Sequence, residues 1–440
     1  MDQTIPSLAE LLGHFRLCFR QEAFVNFSAV VEAWLICLGP RTISEVWQFC
    51  FLQRVRHYGV VYDLFSRANW DWDALGKILL TLLVVEFVPQ GVVWLAVDDT
   101  LCHKRGKRVA LGGIFLDPVL SSKSHKVFRF AVNYVVLALV VQLPWRGGRC
   151  FALPVLWRAF RKKGTAGHRK KTELARELAH LVALALPGRR ICLLGDSAYI
   201  NASVLRDRPG NLEVIGPLPL KAALYRAPAP VESGRRGRKP KKGERLPTPK
   251  EILGMPEEFV AEERTFALPS GEKVLRVQAL RGVLWYTGCK EQRVAVVVLR
   301  DPTESWRDEA LLSTDVTLGV DEVVAGYCRR WSIEVAFHDA KQYLGMQDAQ
   351  VWCEASVERT HPMAFFCLSL AVLWYARYGQ AMPDVQRQRP WYTAVGSTFT
   401  AMLGKLRLAI WGRRISEGQG TAASGHEPLE NLLHCLAAVR

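Results

Sequence analysis

Apolar residues recur with helical spacing up to about residue 85 and with strand-like spacing from about residue 91. Leu8, Leu11, Leu12 and Phe15 fall on one helix face. Thr42-Ile-Ser-Glu45 predicts a helix start, with Thr42 as cap and Glu45 three residues on. Trp70-Asp-Trp-Asp73 before Leu75–Val85 predicts another, with acids in its first turn. Val92–Val97 then reads as a short strand ending at Asp98-Asp99-Thr100. Val109–Leu116 and Lys126–Leu143 read as the second and third strands. Thr172–Leu186 reads as a helix with Leu174, Leu178, Leu181 and Ala185 on one face, and Arg190–Leu194 as a fourth strand followed by Asp196. Acids after two separate strands point to one edge of a sheet.

The regular pattern breaks at residues 221–250, where Pro228, Pro230, Pro240, Pro247 and Pro249 alternate with glycine and basic residues. Phe259–Ala267, Lys273–Ala279, Gly282–Tyr286 and Gln292–Leu299 then read as strands of a β-rich insertion. Helical character returns at Val320. The longest apolar stretches, Val132–Leu143 and Ala364–Ala376, fall short of the roughly 18 residues a membrane span needs. No basic-apolar-small leader opens the chain. Its eleven cysteines are odd in number and without CxxC pairs, which reads as reduced thiols in a cytoplasmic protein.

Charge adds a partner class. The chain of 440 residues, long enough for roughly two to four domains, carries 58 Lys and Arg against 42 Asp and Glu, a net charge of +16. Residues 146–171 hold nine Lys or Arg and no acid, and residues 221–250 hold ten against two acids. The excess is therefore local, which favours a polyanion-binding surface over general solubility. Solvated loops are the plainer reading of such runs.

Tyr327, Arg330, Glu334 and Lys341 carry the chemistry. At about 100° per residue they fall within roughly 60° on a helix, so one face would present a phenol, a guanidinium, a carboxylate and an ammonium. Ile333, Phe337 and Leu344 form a second stripe suited to burial. A salt-bridged surface helix is the structural alternative, since Arg330 and Glu334 are four apart. The spacing Tyr-x2-Arg-x3-Glu-x6-Lys resembles the motif of a branch of bacterial insertion-sequence transposases with a DDE catalytic triad. Asp98-Asp-Thr100 resembles that family's first-aspartate strand end, Leu194-Gly-Asp196-Ser-Ala-Tyr199 its second, and Ala310–Val324 the strand and helix start before the motif. The resemblance runs from about residue 90 to 350.

This resemblance implies an α/β fold: a ribonuclease H-like mixed sheet flanked by helices, antiparallel in its first three strands and parallel in later ones, with a β-rich subdomain inserted between the second Asp and the Glu. The implied division is a helical N-terminal domain at 1–88, a catalytic core at 89–220 and 313–350, the arm and insertion at 221–312, and a helical C-terminal region at 351–440 suited to dimerisation. It further implies a DNA transposase in the bacterial cytoplasm, cutting at its element's terminal repeats and joining the ends to target DNA. Asp98, Asp196 and Glu334 are then the catalytic acids holding two Mg²⁺ ions, with Mn²⁺ able to substitute, since hard cations take carboxylate oxygen. Asp99 competes with Asp98, because successive strand residues face opposite ways; Asp-x-Thr favours Asp98. Asp196 also reads as a helix-capping acid. Tyr327, Arg330 and Lys341 suit phosphate contacts at a DNA end. Trp331 suits base stacking or a core position, and Trp285 is a further stacking candidate. Arg235, Arg236, Arg238, Lys239, Lys241 and Lys242 form an arm suited to double-stranded DNA. A homodimer or higher multimer on paired ends, with no membrane association, completes the expectation. A catalytically inactive DNA-binding derivative and a nuclease of the same fold acting on other DNA stand as alternatives.

Overall fold

A computed structural model describes residues 5–106, 108–229, 239–268, 271–383 and 397–418. The chain divides into two compact units, one drawn from residues 1–89, 99–168 and 334–440, the other from 90–98 and 169–333.

The first unit opens with helices α1 (Pro6–Gly13), α2 (Gln21–Ile36), α3 (Ile43–Gln48), α4 (Gly59–Ser66) and α5 (Trp72–Phe87). α3 begins at the cap read from sequence, and α5 begins at a cap, Asp71, where the sequence indicated only acids in a first turn. Thr42 accepts from Glu45 N at 3.2 Å, and Asp71 from Ala74 N at 2.9 Å, each satisfying a first-turn donor. Strand β1 (Val93–His103) is longer than expected. It does not end at Asp98-Asp99 but runs on through Thr100, Leu101 and Cys102, all buried, because its second half is hydrogen-bonded to a neighbour. That half belongs to this unit with β2 (Gly113–Leu116), β3 (Phe128–Gln142) and β4 (Cys150–Ala159). β3 pairs antiparallel with both β2 and β4.

β4 is absent from the sequence reading, which merged it into the basic window. Pro154 at its centre argues against a strand, since it has no N–H for a ladder. The ladder accommodates it with a register shift between Leu137 and Ala138, and the Pro154 carbonyl accepts from Ser369 Oγ at 2.8 Å.

The second unit holds the first half of β1 beside β5 (Ile191–Gly195) and β6 (Leu212–Pro217), all parallel, with α6 (Lys171–Ala185) and α7 (Ala202–Leu205). The buried stripe of α6 is Leu174, Ala175, Leu178, Ala179, Val182 and Ala183, so Leu181 sits at its margin. An antiparallel set followed by a parallel one is the ribonuclease H-like arrangement. The inserted segment supplies β7 (Leu224–Tyr225), β8 (Arg245–Leu246), α8 (Pro249–Ile252), β9 (Ala261–Leu268), β10 (Gly271–Leu284), α9 (Tyr286–Cys289), β11 (Arg293–Arg300) and β12 (Glu309–Ser313). Its strands extend the same sheet: β12 joins β6 antiparallel, β11 joins β12, and β10 joins β11. The two strands expected at 273–279 and 282–286 are one, β10, bulged between Leu280 and Val283 where Gly282 takes φ +71°.

Helix α10 (Val320–Arg329) covers one side of this sheet. Its Val323 and Val324 share a core with Leu194, Ile215 and Leu311, and Trp94, Tyr327 and Cys328 pack against it. A break in helicity at Arg330 and Trp331 precedes α11 (Ser332–Leu344). α12 (Glu354–Thr360), α13 (Met363–Trp374) and α14 (Phe399–Gly418) follow in the first unit. α13 is buried on every side, which accounts for its unbroken apolar text without a membrane. Among the described residues no helix is long and apolar enough to cross one.

Candidate active site

The register of β1 against β5 ends with Val97 opposite Gly195, so Asp98 and Asp196 are the residues that directly follow the last matched pair of these parallel strands. Strands lie about 4.8 Å apart, which brings two carboxylates together at one edge of the second unit. Asp98 is partly buried, with Arg330 Nη1 at 3.4 Å from its Oδ2. Asp196 follows β5 directly. Its Oδ1 accepts from Ala198 N at 2.9 Å, and its carbonyl from Tyr199 N and Ile200 N at 3.1 Å each, so it also caps the following turn.

Asp99 faces away from this pair by strand alternation. Its Oδ2 accepts from Asn133 Nδ2 on β3 at 2.9 Å.

Tyr327, Arg330, Glu334 and Lys341 do not lie on one straight helix. Arg330 N bonds to Tyr327 O at 3.1 Å, Trp331 N to Cys328 O at 3.3 Å, and Ile333 N to Arg330 O at 3.1 Å, a tight turn between α10 and α11. Ser332 Oγ donates to Arg329 O at 2.8 Å, competing with the helical backbone pattern at the break. Tyr327 and Arg330 belong to the second unit with Asp98 and Asp196; Glu334 and Lys341 belong to the first.

Arg330 is 8% exposed at the C-terminal end of α10, where a cation complements the helix dipole. Its guanidinium lies over the Tyr327 ring at 5.9 Å and the Trp331 ring at 5.6 Å. Burial, with the nearby Glu309 and Asp196 charges, raises the Tyr327 phenol above its usual range, so it stays protonated and able to donate. Glu309, which drew no attention in the sequence, opens β12; burial raises its carboxyl against the lowering charge of Arg330. Trp331 is 54% exposed, as a stacking residue requires, whereas Trp285 is buried against Gly288. Glu334 is partly exposed in the first turn of α11. Lys341 is partly buried, and that burial lowers its pKa, partly offset by the neighbouring Cys102 and Asp117.

The basic windows are less available than their charge suggests. Arg158 forms a two-pronged pair with Asp73 at 2.7 Å per bond, Arg161 bridges Glu354 and Glu358, and Arg169 pairs with Glu177. Lys239, Lys241 and Lys242 are exposed, but Lys241 pairs with Glu291 at 2.6 Å, and Lys242 lies over Tyr225 at 4.4 Å and Tyr286 at 5.1 Å. Arg235, Arg236 and Arg238 lie outside the described residues.

Asp98 and Asp196 provide the hard oxygen donors that a divalent cation takes. Among the described residues no three His, Cys, Asp or Glu side chains converge closely enough to hold a metal ion; the Arg330 cation stands beside Asp98 instead.

The chain matches the DDE superfamily endonuclease family over residues 14–292, more than half its length, and belongs to that family. The matched span includes Asp98 and Asp196 and ends before Tyr327. No curated protein matches the chain. Among solved structures it is similar to a piggyBac transposase in a synaptic complex with hairpin DNA, at 11% identity over 99% of this chain and 82% of that chain, with a TM-score of 0.43.

Proposed function

We propose that this protein is a DNA transposase, of the insertion-sequence type carrying the Tyr-Arg-Glu-Lys motif, that cleaves phosphodiester bonds at the ends of its element and joins them to target DNA. The reading rests on membership of the DDE endonuclease family together with one observation: Asp98 and Asp196 come directly after the last paired residues of β1 and β5, Val97 and Gly195, with Arg330 beside Asp98. Glu334 is the third acid, assigned from the motif. Asp98, Asp196 and Glu334 would hold Mg²⁺ or Mn²⁺, and bound divalent ions supply an activated attacking oxygen and a stabilised leaving oxygen.

The chain's own groups do the positioning. Arg330 offers a planar fork to a phosphate. The protonated Tyr327 donates to a phosphate oxygen. Exposed Trp331 presents a ring to an unpaired base. The arm at 235–242 tracks phosphates of double-stranded DNA, and two or more copies pair the element ends in the bacterial cytoplasm.

Incubating the purified chain with DNA bearing its element's ends and Mn²⁺ tests the reading. Wild type should nick and then join the ends, and Glu334→Gln should do neither. No nicking at all, or equal nicking by Glu334→Gln, would overturn it. Binding without cleavage would point to an inactive derivative, and cleavage without joining to a nuclease of other DNA.

A further inference from the structure

We propose that the tip of the β2–β3 hairpin is a DNA-contacting wedge: Pro118, Val119 and Leu120 enter the minor groove between base steps, and Lys123, Lys126 and Arg129 hold the flanking phosphates. The choice of DNA as partner rests on the proposed function.

Residues 118–129 lie outside both basic windows and hold three Lys or Arg and no acid. Folding changes their rank among the cations. Arg158, Arg161 and Arg169 of the first window are each paired with an acid. Lys123, Lys126 and Arg129 are exposed, and among the described residues no acid pairs with them. Lys126 Nζ donates to Ser122 O at 3.1 Å, which leaves its charge unopposed.

The same tip exposes apolar side chains. Val119 is 86% exposed and Leu120 50%, and Pro118 is exposed before them. At the base of the loop Leu116 and Phe128, opposed in the β2–β3 register, are exposed as well. Single exposed apolar residues are ordinary, but a contiguous group of them marks an interaction site. The exposure is built into the loop. Buried Asp117 accepts from Val119 N at 3.0 Å and from Leu120 N at 3.2 Å. Asp117 N donates to Val127 O at 2.8 Å, and Ser121 Oγ accepts from Val127 N at 3.0 Å. A loop held in this way has little ordering left to do on binding.

Charge selects the partner. A second copy meeting this patch symmetrically would set the same cations against each other. Duplex DNA offers phosphates on both sides of a groove. Proteins that bind the minor groove insert leucine and proline side chains between base steps and kink the duplex.

Metal-free binding of the full chain to a duplex labelled at both ends tests this. Wild type should raise energy transfer between the ends as the duplex bends. Val119→Ser with Leu120→Ser should abolish that rise and weaken binding about tenfold, with the salt slope unchanged. Leu120→Met, which keeps an apolar wedge, should retain the bend. Replacing Lys123, Lys126 and Arg129 by alanine should flatten the slope of log affinity against log salt by about two to three. All these side chains are exposed, so each variant should keep the wild-type circular dichroism spectrum. Equal bending by wild type and the Val119→Ser, Leu120→Ser variant overturns the inference, and so does binding to phosphatidylserine vesicles in place of duplex. A wild type that bends duplex through this tip but never nicks its element's ends with Mn²⁺ overturns the proposed function and upholds the wedge.

Discussion

Asn133 Nδ2 donates to Asp99 Oδ2 at 2.9 Å, and that bond ties Asp99 to β3 while Asp98, one residue earlier, faces Arg330. Asp98→Asn should therefore abolish Mn²⁺-dependent nicking. Asp99→Asn should retain nicking and lower stability by about 1–2 kcal/mol through the weakened contact to Asn133. Nicking assays and denaturant midpoints on both variants check this. Full loss with Asp99→Asn and activity with Asp98→Asn would reverse the assignment.

Gly326 brings α10 against the sheet. A Cβ there would lie 2.9 Å from Trp94 Cζ3 and 3.2 Å from its Cη2. Gly326→Ala should push the helix outward, costing about 1–3 kcal/mol by overpacking. Because Tyr327 and Arg330 come next on that helix, nicking should fall with it. An unchanged denaturation midpoint would mean that the Trp94 ring simply moves aside.

The arm's cations should contribute unequally to DNA binding. Each phosphate neutralised changes the slope of log affinity against log salt by about 0.9. Neutralising Arg235, Arg236, Arg238 and Lys239 together should flatten that slope by about 3 to 4. Lys241, already paired with Glu291 at 2.6 Å, should change it by well under one when replaced by alanine. Binding isotherms across a salt series separate the two, and an unchanged slope for the fourfold variant would make the arm a solvated loop.

His361 should make stability pH-dependent. It is fully buried, 3.0 Å from the Tyr134 hydroxyl, and burial with the nearby Lys104 charge holds its pKa well below the usual value. In the unfolded chain it takes up a proton near pH 6.5. Below that pH the unfolded state binds more protons, so this contribution to stability is complete above about pH 6.5 and is lost as the pH falls. The thermal midpoint of wild type should drop more between about pH 7.5 and 5.5 than that of His361→Gln. Parallel curves for the two proteins would remove His361 from the account.

Features encoded by neighbours in the chain were legible. The cap at Thr42, the acidic start of Trp72–Phe87, the helix at Lys171–Ala185, the strand before Asp196 and the strand-rich insertion all arise from period and capping chemistry within a dozen residues. β4 was hidden because Pro154 and flanking cations look like a loop until β3 is there to pair with. The helix break at Arg330 was hidden as well, because the motif's spacing is compatible with a continuous helix.

By itself, the sequence set out the candidate chemistry: three acids, a motif with a guanidinium and a phenol, and a cationic excess. It also determined the local elements, because hydrophobic period and caps act over a few residues. Only the tertiary structure decided which acids share an edge, since facing depends on register with strands about 30 to 100 residues away. The pairing of Arg158 with Asp73, 85 residues apart, was decided the same way: a charge counts toward a surface only once folding has left it without a counter-charge.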